Sequence, residues 1–299
     1  MNGQNRAPAT CLWRAFVFCA VALASATASL QAQSSKRYRP QPEYAQLGVP
    51  DQVEGRQLLE TVRQMGLSGD YYFEFELRFL PRRGEEVVWK GKLWGGRRDS
   101  SIFTRLLVHD EGKGVSHRFL LERGPRSAVW SLPPGSAVPQ RLGAAELFLP
   151  IGSIMLLSPF DLQMPYFNWS EFTYEGLAKV RGRPAHRFLL YPPADIAAAQ
   201  PNLCAVRMSV DSAYKAMVES ELIGEGDKVL RTFSLQELKK VREQWIPKSV
   251  EVRDDNSRSK ARFTVTAAAM RLSLPPSVFE PATLAEPLNP PADSSIDRF

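Results

Sequence analysis

From Tyr71 the chain alternates with a period of two. Tyr71, Phe73, Phe75, Leu77 and Phe79 fall on one side, and Tyr72, Glu74, Glu76, Arg78 and Leu80 on the other. That is a strand with one aromatic and aliphatic face and one mostly charged face. Residues 81–84 supply a turn. Val87, Trp89, Gly91 and Leu93 then alternate with Val88, Lys90, Lys92 and Trp94, as the second half of an antiparallel hairpin would. The same period predicts strands near 102–109, 115–123 and 127–132. It returns near 172–180, 183–191, 203–211, 214–223, 228–239, 245–253 and 258–270. Ahead of them, Val53, Leu58, Leu59, Val62 and Met65 recur at helical spacing between Pro50-Asp51 and Gly66. A helix with one apolar stripe must lie against something apolar.

Two stretches break the rhythm. Residues 133–152 are rich in Pro and Gly, with Leu147, Phe148 and Leu149 as an apolar patch. Residues 154–169, IMLLSPFDLQMPYFNW, are densely apolar but not periodic. The tail from Pro275 is Pro-rich, and is expected to pack Phe279 and Leu284 and then fray. So many strands exceed what a flat open sheet accommodates. The fold class predicted is mainly β (α+β), a single large curved antiparallel sheet or incomplete barrel of about eleven strands, covered by one or more helices.

The N-terminus changes the picture of where the protein works. Arg6 and Arg14 precede or flank an uncharged run from Ala15 to Leu30, with small residues before a cleavage point at Ala32 or, alternatively, Ala28. This reads as a signal peptide over 1–32; a retained N-terminal membrane anchor is the alternative. A flexible basic arm is expected over 33–49, the main domain over 50–285 and a disordered tail over 286–299. Loss of Arg6 and Arg14 lowers the formal charge from +6 to +4. Lys and Arg are interleaved with Asp and Glu, as on a solvated mixed surface, so no nucleic acid is expected. Cys11 and Cys19 lie in the signal, leaving Cys204 without a disulfide partner.

The three histidines, His109, His117 and His186, have no metal-ligand spacing with other ligand residues. No nucleophile elbow and no phosphate-binding glycine loop is present. Catalytic residues, metals and cofactors are therefore expected to be none. The positive signal is an excess of large apolar side chains. Met155, Phe160, Met164, Phe167 and Trp169 add adaptable bulk to the aromatic strand face.

Three passages resemble the LolA-like outer-membrane lipoprotein-sorting family. The first is the helix followed by GDYYFEFELRF and WKGKLW. The second is LLSPFDLQMPYFNW, with its Phe-Asp pair before a short apolar helix. The third is VDSAYKAMVESELIGEGDKVLRTFSLQELKKVREQWIPKSVEVRD, where a strand ending in Asp211, a Gly-Asp hairpin and a Trp-Ile-Pro-Lys strand come in order. The resemblance implies a half-open barrel with a helical lid. Its interior would take acyl chains of a lipoprotein and pass them toward the outer membrane without making or breaking bonds. The family's carriers also tie sheet to lid through an arginine. Arg78 and Arg105 are strand residues outside any such context, and the 133–152 stretch departs from the compact carriers.

These readings converge on a periplasmic, monomeric carrier of lipoprotein acyl chains or lipids. Inner-membrane releasing and outer-membrane accepting proteins would be its partners. Phe73, Phe75, Leu77, Phe79, Trp89, Leu93, Met164, Phe167 and Met217 are the expected cavity lining. An envelope sensor or partner-binding module on the same fold, and a hydrolase with a site assembled around His117, are the rival readings.

Overall fold

The computed structural model describes residues 49–152 and 156–299; the stretch expected to be a signal peptide, nearly all of the expected basic arm and Met155 lie outside the described residues. Thirteen strands form one continuous antiparallel path. Five come first: β1 (Asp70–Leu80), β2 (Val87–Arg98), β3 (Ser101–Asp110), β4 (Val115–Arg123) and β5 (Ala128–Leu132), and the two-residue β6 (Gln140–Arg141) comes next. The second half supplies β7 (Phe172–Val180), β8 (Arg183–Leu190), β9 (Ala205–Asp211), β10 (Met217–Ile223), β11 (Val229–Val241), β12 (Gln244–Asp254) and β13 (Lys260–Leu272). In space the order is β6-β5-β4-β3-β2-β1-β13-β12-β11-β10-β9-β8-β7, and a fourteenth, β14 (Asp297–Arg298), pairs with β13 off this path. The sheet is open, so the expected curved, unclosed antiparallel architecture holds, with more strands than expected because β6 and β14 are too short to show a period.

β1 and β13 meet at the middle of the sheet, pairing from Asp70 opposite Leu272 to Leu80 opposite Lys260. The first half of the chain meanders outward from β1 to one edge. The second half begins at the opposite edge with β7 and meanders back. The connection between β6 and β7, residues 142–171, must therefore span the full width of the sheet. It carries α2 (Pro159–Gln163) and two short 3-10 turns at 146–148 and 165–168.

The face beneath this crossover, here the inner face, is the aromatic side of β1. Phe73, Phe75, Leu77, Trp89, Leu93, Leu106 and Phe119 are buried there with Ile151, Leu156 and Leu157 of the crossover. Close cross-strand packing depends on Gly91, opposite Phe75; a Cβ at Gly91 would collide with the Phe75 ring. Over β7–β10 the inner face is covered by α1 (Gln52–Gln64), α3 (Ala194–Ala199) and residues 160–169. Asp51 caps α1 by accepting from the amides of Val53 and Glu54. Leu59 and Val62 are buried, but Val53 and Met65 are exposed, so the apolar stripe is narrower than the spacing predicted. Gly55 lets the helix approach β7: a Cβ there would collide with that of Tyr174. Gln52 bonds both backbone groups of Tyr174, each at 2.9 Å, as a neighbouring strand would.

The outer face is covered differently in its two halves. Over β7–β10 it carries a charge ladder, with Glu175 bridged to Arg207 and Arg207 to Glu221. Over β1–β5 it carries an apolar patch covered by the C-terminal segment, with Val278, Phe279 and Leu284 packed on Tyr72, Trp94 and Leu120. Buried Arg105 donates to carbonyls of Val278, Thr283, Leu284 and Glu286. Residues 286–299, expected to fray, instead continue to β14.

Asp70 joins three elements at the start of β1. It accepts two hydrogen bonds from Arg98, at 2.7 and 3.0 Å, and one from the Leu274 amide at 2.7 Å. Burial alone would raise its pKa, but the Arg98 and Leu274 hydrogen bonds outweigh it and hold the carboxyl below its ordinary value. A lowered carboxylate stabilises the fold above its unfolded pKa and loses that contribution as pH falls through the folded one. Asp70→Asn should therefore cost about 1–3 kcal/mol at neutral pH. In thermal melts at successively lower pH, its deficit against the wild type should close below about pH 4; a constant deficit would contradict the assignment.

Candidate functional site

The nine side chains expected to line a cavity fall into two sets. Phe73, Phe75, Leu77, Trp89 and Leu93 are buried in one inner-face cluster, with Phe79 half-buried against it. Phe167 is buried in the second cluster, with Met164 and Met217 half-buried beside it. Leu147 of the crossover packs against both. The seven on strands thus face the inner side of the sheet, under its cover, while Met164 and Phe167 belong to the cover itself. Trp89 is fully buried and stacks on His117 at 5.4 Å, and Phe75 packs on Phe263 at 4.5 Å.

Open space lies at the margin of these clusters. A cleft of about 370 Å³ is bounded by Ser127, Ala128 and Val129 at the β4–β5 end, Arg141 of β6, crossover residues from Leu142 to Leu147, Gln163 of α2 and Asp195 of α3. That volume sits at the lower end of the range for small-molecule pockets. Val129, Leu142, Ala144 and Leu147 form its apolar wall, and Val129 and Leu142 belong to the Phe73 cluster. Arg141 and Asp195 are exposed at its rim. None of the nine expected residues lines it. Val129 and Leu147 were visible in the sequence as a strand residue and an apolar patch. Residues 141–144 have no periodic signal.

The cover is held by a few directed contacts. Arg231 of β11 meets Asp161 of α2 at 2.5 Å. The same Asp161 oxygen accepts from the Ser158 amide and hydroxyl, closing the capping box of α2. Gln163 donates to the carbonyls of Glu122 and Ala128, and Arg63 of α1 to those of Phe167 and Trp169. Arg123 of β4 lies 4.7 Å over the Phe167 ring, and burial pushes its pKa below the ordinary value. Two sheet arginines thus reach the cover, Arg231 through an ion pair and Arg123 through a ring contact. Arg78 instead pairs with Glu76 and Glu86 at the surface, and Arg105 holds the outer C-terminal segment.

His117, the centre of the rival hydrolase reading, is half-buried and stacks on Trp89. It sits between Trp89 and the backbone at Gly152, and burial pushes its pKa down. Among the described residues no group of three or more His, Cys, Asp or Glu is placed to hold a metal. Burial likewise raises the Cys204 thiol pKa.

Solved structures share this architecture. A DUF1329 family protein from Desulfovibrio piger superposes with a TM-score of 0.65 at 14% identity, over 78% of this chain and 98% of that one. A putative outer membrane lipoprotein-sorting protein domain from Vibrio parahaemolyticus gives 0.66 at 14% identity, with the same coverage. The fold is LolA-like. A LolA superfamily protein from Nitrosomonas europaea agrees, with a TM-score of 0.57 at 11% identity over 75% of this chain and 96% of its own. A family profile described as "Uncharacterized protein" matches residues 161–286. No curated protein matches the sequence.

The Asp161–Arg231 pair lies inside the LolA-like core and can be tested directly. Asp161→Ala should cost about 1.5–3 kcal/mol in urea unfolding, because it strands a guanidinium and two Ser158 donors. Deuterium uptake should rise in α2 and at residues 142–152 more than in β11–β13. Uniform uptake across the sheet would contradict a tie specific to the cover.

Proposed function

We propose that this protein is a non-enzymatic carrier in the bacterial envelope that binds an acyl chain of a lipoprotein or lipid against the inner face of its sheet. One observation carries the reading: an apolar inner layer is roofed by a crossover made of short helices and turns, and an open cleft adjoins that layer at Val129, Leu142 and Leu147. Similarity to a putative outer membrane lipoprotein-sorting domain supports the ligand class and the periplasmic setting. No described helix is long and apolar enough to cross a membrane.

Energetics favour reversible carriage. Each buried methylene contributes about 0.8 kcal/mol, so about ten contribute roughly 8 kcal/mol. Lifting the cover opposes this. The six side chains of β1 and β2 selected from the alternation would receive the guest only after the crossover yields. The cleft is the part of the site open at rest, and entry there would press first on Leu147, which bridges the two clusters. Arg141 and Asp195 at the rim would meet the polar end of the guest.

The reading is tested with a fluorescent fatty acid and with mass spectrometry of organic extracts of protein purified from the envelope. Saturable uptake near micromolar affinity is expected. Ala144→Trp, which fills the cleft at a half-exposed position, should weaken uptake about tenfold while leaving the melting temperature close to wild type. Absence of both extracted lipid and fatty-acid uptake would remove the proposal.

A further inference from the structure

The sheet has a split. β12 pairs with β13 only from Ser249 to Arg253, opposite Thr264 to Lys260. Residues 244–247 of β12 pair with β11 alone, and β13 beyond Thr264 has no β12 partner. Unpaired strand edges bordering an apolar core need an occupant for their backbone groups. Here residues 297–299 supply one. Arg298 pairs with Ala267 and Asp297 with Ala268, and the Phe299 amide donates to the Thr266 carbonyl at 2.9 Å.

Alternation along this short strand sorts its side chains. Arg298 points outward to Glu74 at 3.0 Å. Phe299 turns inward, half-buried against the Phe73 cluster, with the Lys239 ammonium 4.4 Å from its ring centre. Asp297 meets Arg242 at 3.1 Å, and Arg242 also reaches the Ser295 carbonyl. Three elements therefore surround the segment: β13, Glu74 of β1 and the Lys239–Arg242 end of β11. Together they offer backbone groups, a cation for an acid, an acid for a base, and an apolar well for an aromatic ring.

What holds the segment is weak. Its ion pairs are exposed, with side chains roughly half accessible on both partners of the Asp297–Arg242 pair. Pairs of that kind contribute little and are screened by salt. The pairing is two residues long. Segments with few buried contacts open at the low end of a protein's local stabilities. A weakly held strand over a groove that needs a strand is the arrangement in which one peptide can exchange for another.

We infer that the groove between β13 and the β11–β12 hairpin is a peptide-binding site for a short extended segment of acid-base-aromatic pattern, filled at rest by residues 297–299. Its partner is a protein segment that adds as a strand in place of β14, with the aromatic ring in the well now held by Phe299.

The test uses a fluorescein-labelled synthetic peptide of residues 293–299 and a chain lacking those residues. Saturable anisotropy change is expected with the shortened chain. The full chain should bind at least about tenfold more weakly, because its own segment competes at an effective concentration on the order of millimolar. The peptide carrying Phe299→Ala should lose binding by a similar factor. No saturable binding to a shortened chain that keeps its far-ultraviolet spectrum and cooperative melt, or equal binding to both chains, overturns the inference. Should the shortened chain fail to fold, full-length Phe299→Ala is used, and it must take up the wild-type peptide several-fold more tightly than the unmodified protein. The assay contains no lipid, so its failure and the failure of acyl carriage are separate results.

Discussion

The pairing of β1 with β13 at the centre of the sheet governs the rest of the architecture. It places the two halves of the chain on opposite sides of a seam, and it leaves β6 and β7 at opposite edges. A chain that ends one meander at one edge and starts the next at the other has to travel the width between them. Travelling over the inner face lets the apolar residues 156–169 bury themselves, and it removes the aromatic side of β1 from water. The roof is therefore a product of topology rather than an added domain. It is also irregular for a reason: Pro159 and Pro165 begin short helical turns and forbid one long helix.

Much of the sheet was legible. Alternation located β4 at 115–123 and β7 at 172–180 with the limits the structure has; β7 packs one face and leaves Leu177 and Lys179 exposed on the other, whereas β4 packs Phe119 and Leu120 on opposite faces. β6 and β14 were not legible, since two residues carry no period. Nor was the order of strands, which rests on contacts between Asp70–Leu80 and Lys260–Leu272 that no local pattern encodes. Val53 and Met65 misled the helix reading: they keep helical spacing but face water, while Gly55, with no apolar side chain at all, marks the buried stripe.

The site was legible by face and not by accessibility. Phe73, Phe75, Leu77, Phe79, Trp89 and Leu93 share a side because strand geometry demands it. Whether that side is open depends on what lies over it, and Ile151, Leu156 and Leu157 lie over it. Arg231 and Asp161 are far apart in sequence and sit in unremarkable contexts, so their meeting was hidden until β11 and α2 were placed. The Phe160-Asp161 pair gains a physical meaning from this: its carboxylate both starts α2 and fastens it.

The double bond from Gln52 to the Tyr174 backbone bears on how such a molecule can open safely. α1 occupies the exposed rim of β7 in the manner of a counterfeit neighbour, denying it to other chains. Swinging α1 aside would bare a long, sticky border and invite polymerisation. The far border ends in β6, only two residues long and bearing exposed Gln140 and Arg141, which is a poor template for stacking. Loosening the roof from that end, where the cleft already lies, would leave the hazardous border sealed throughout.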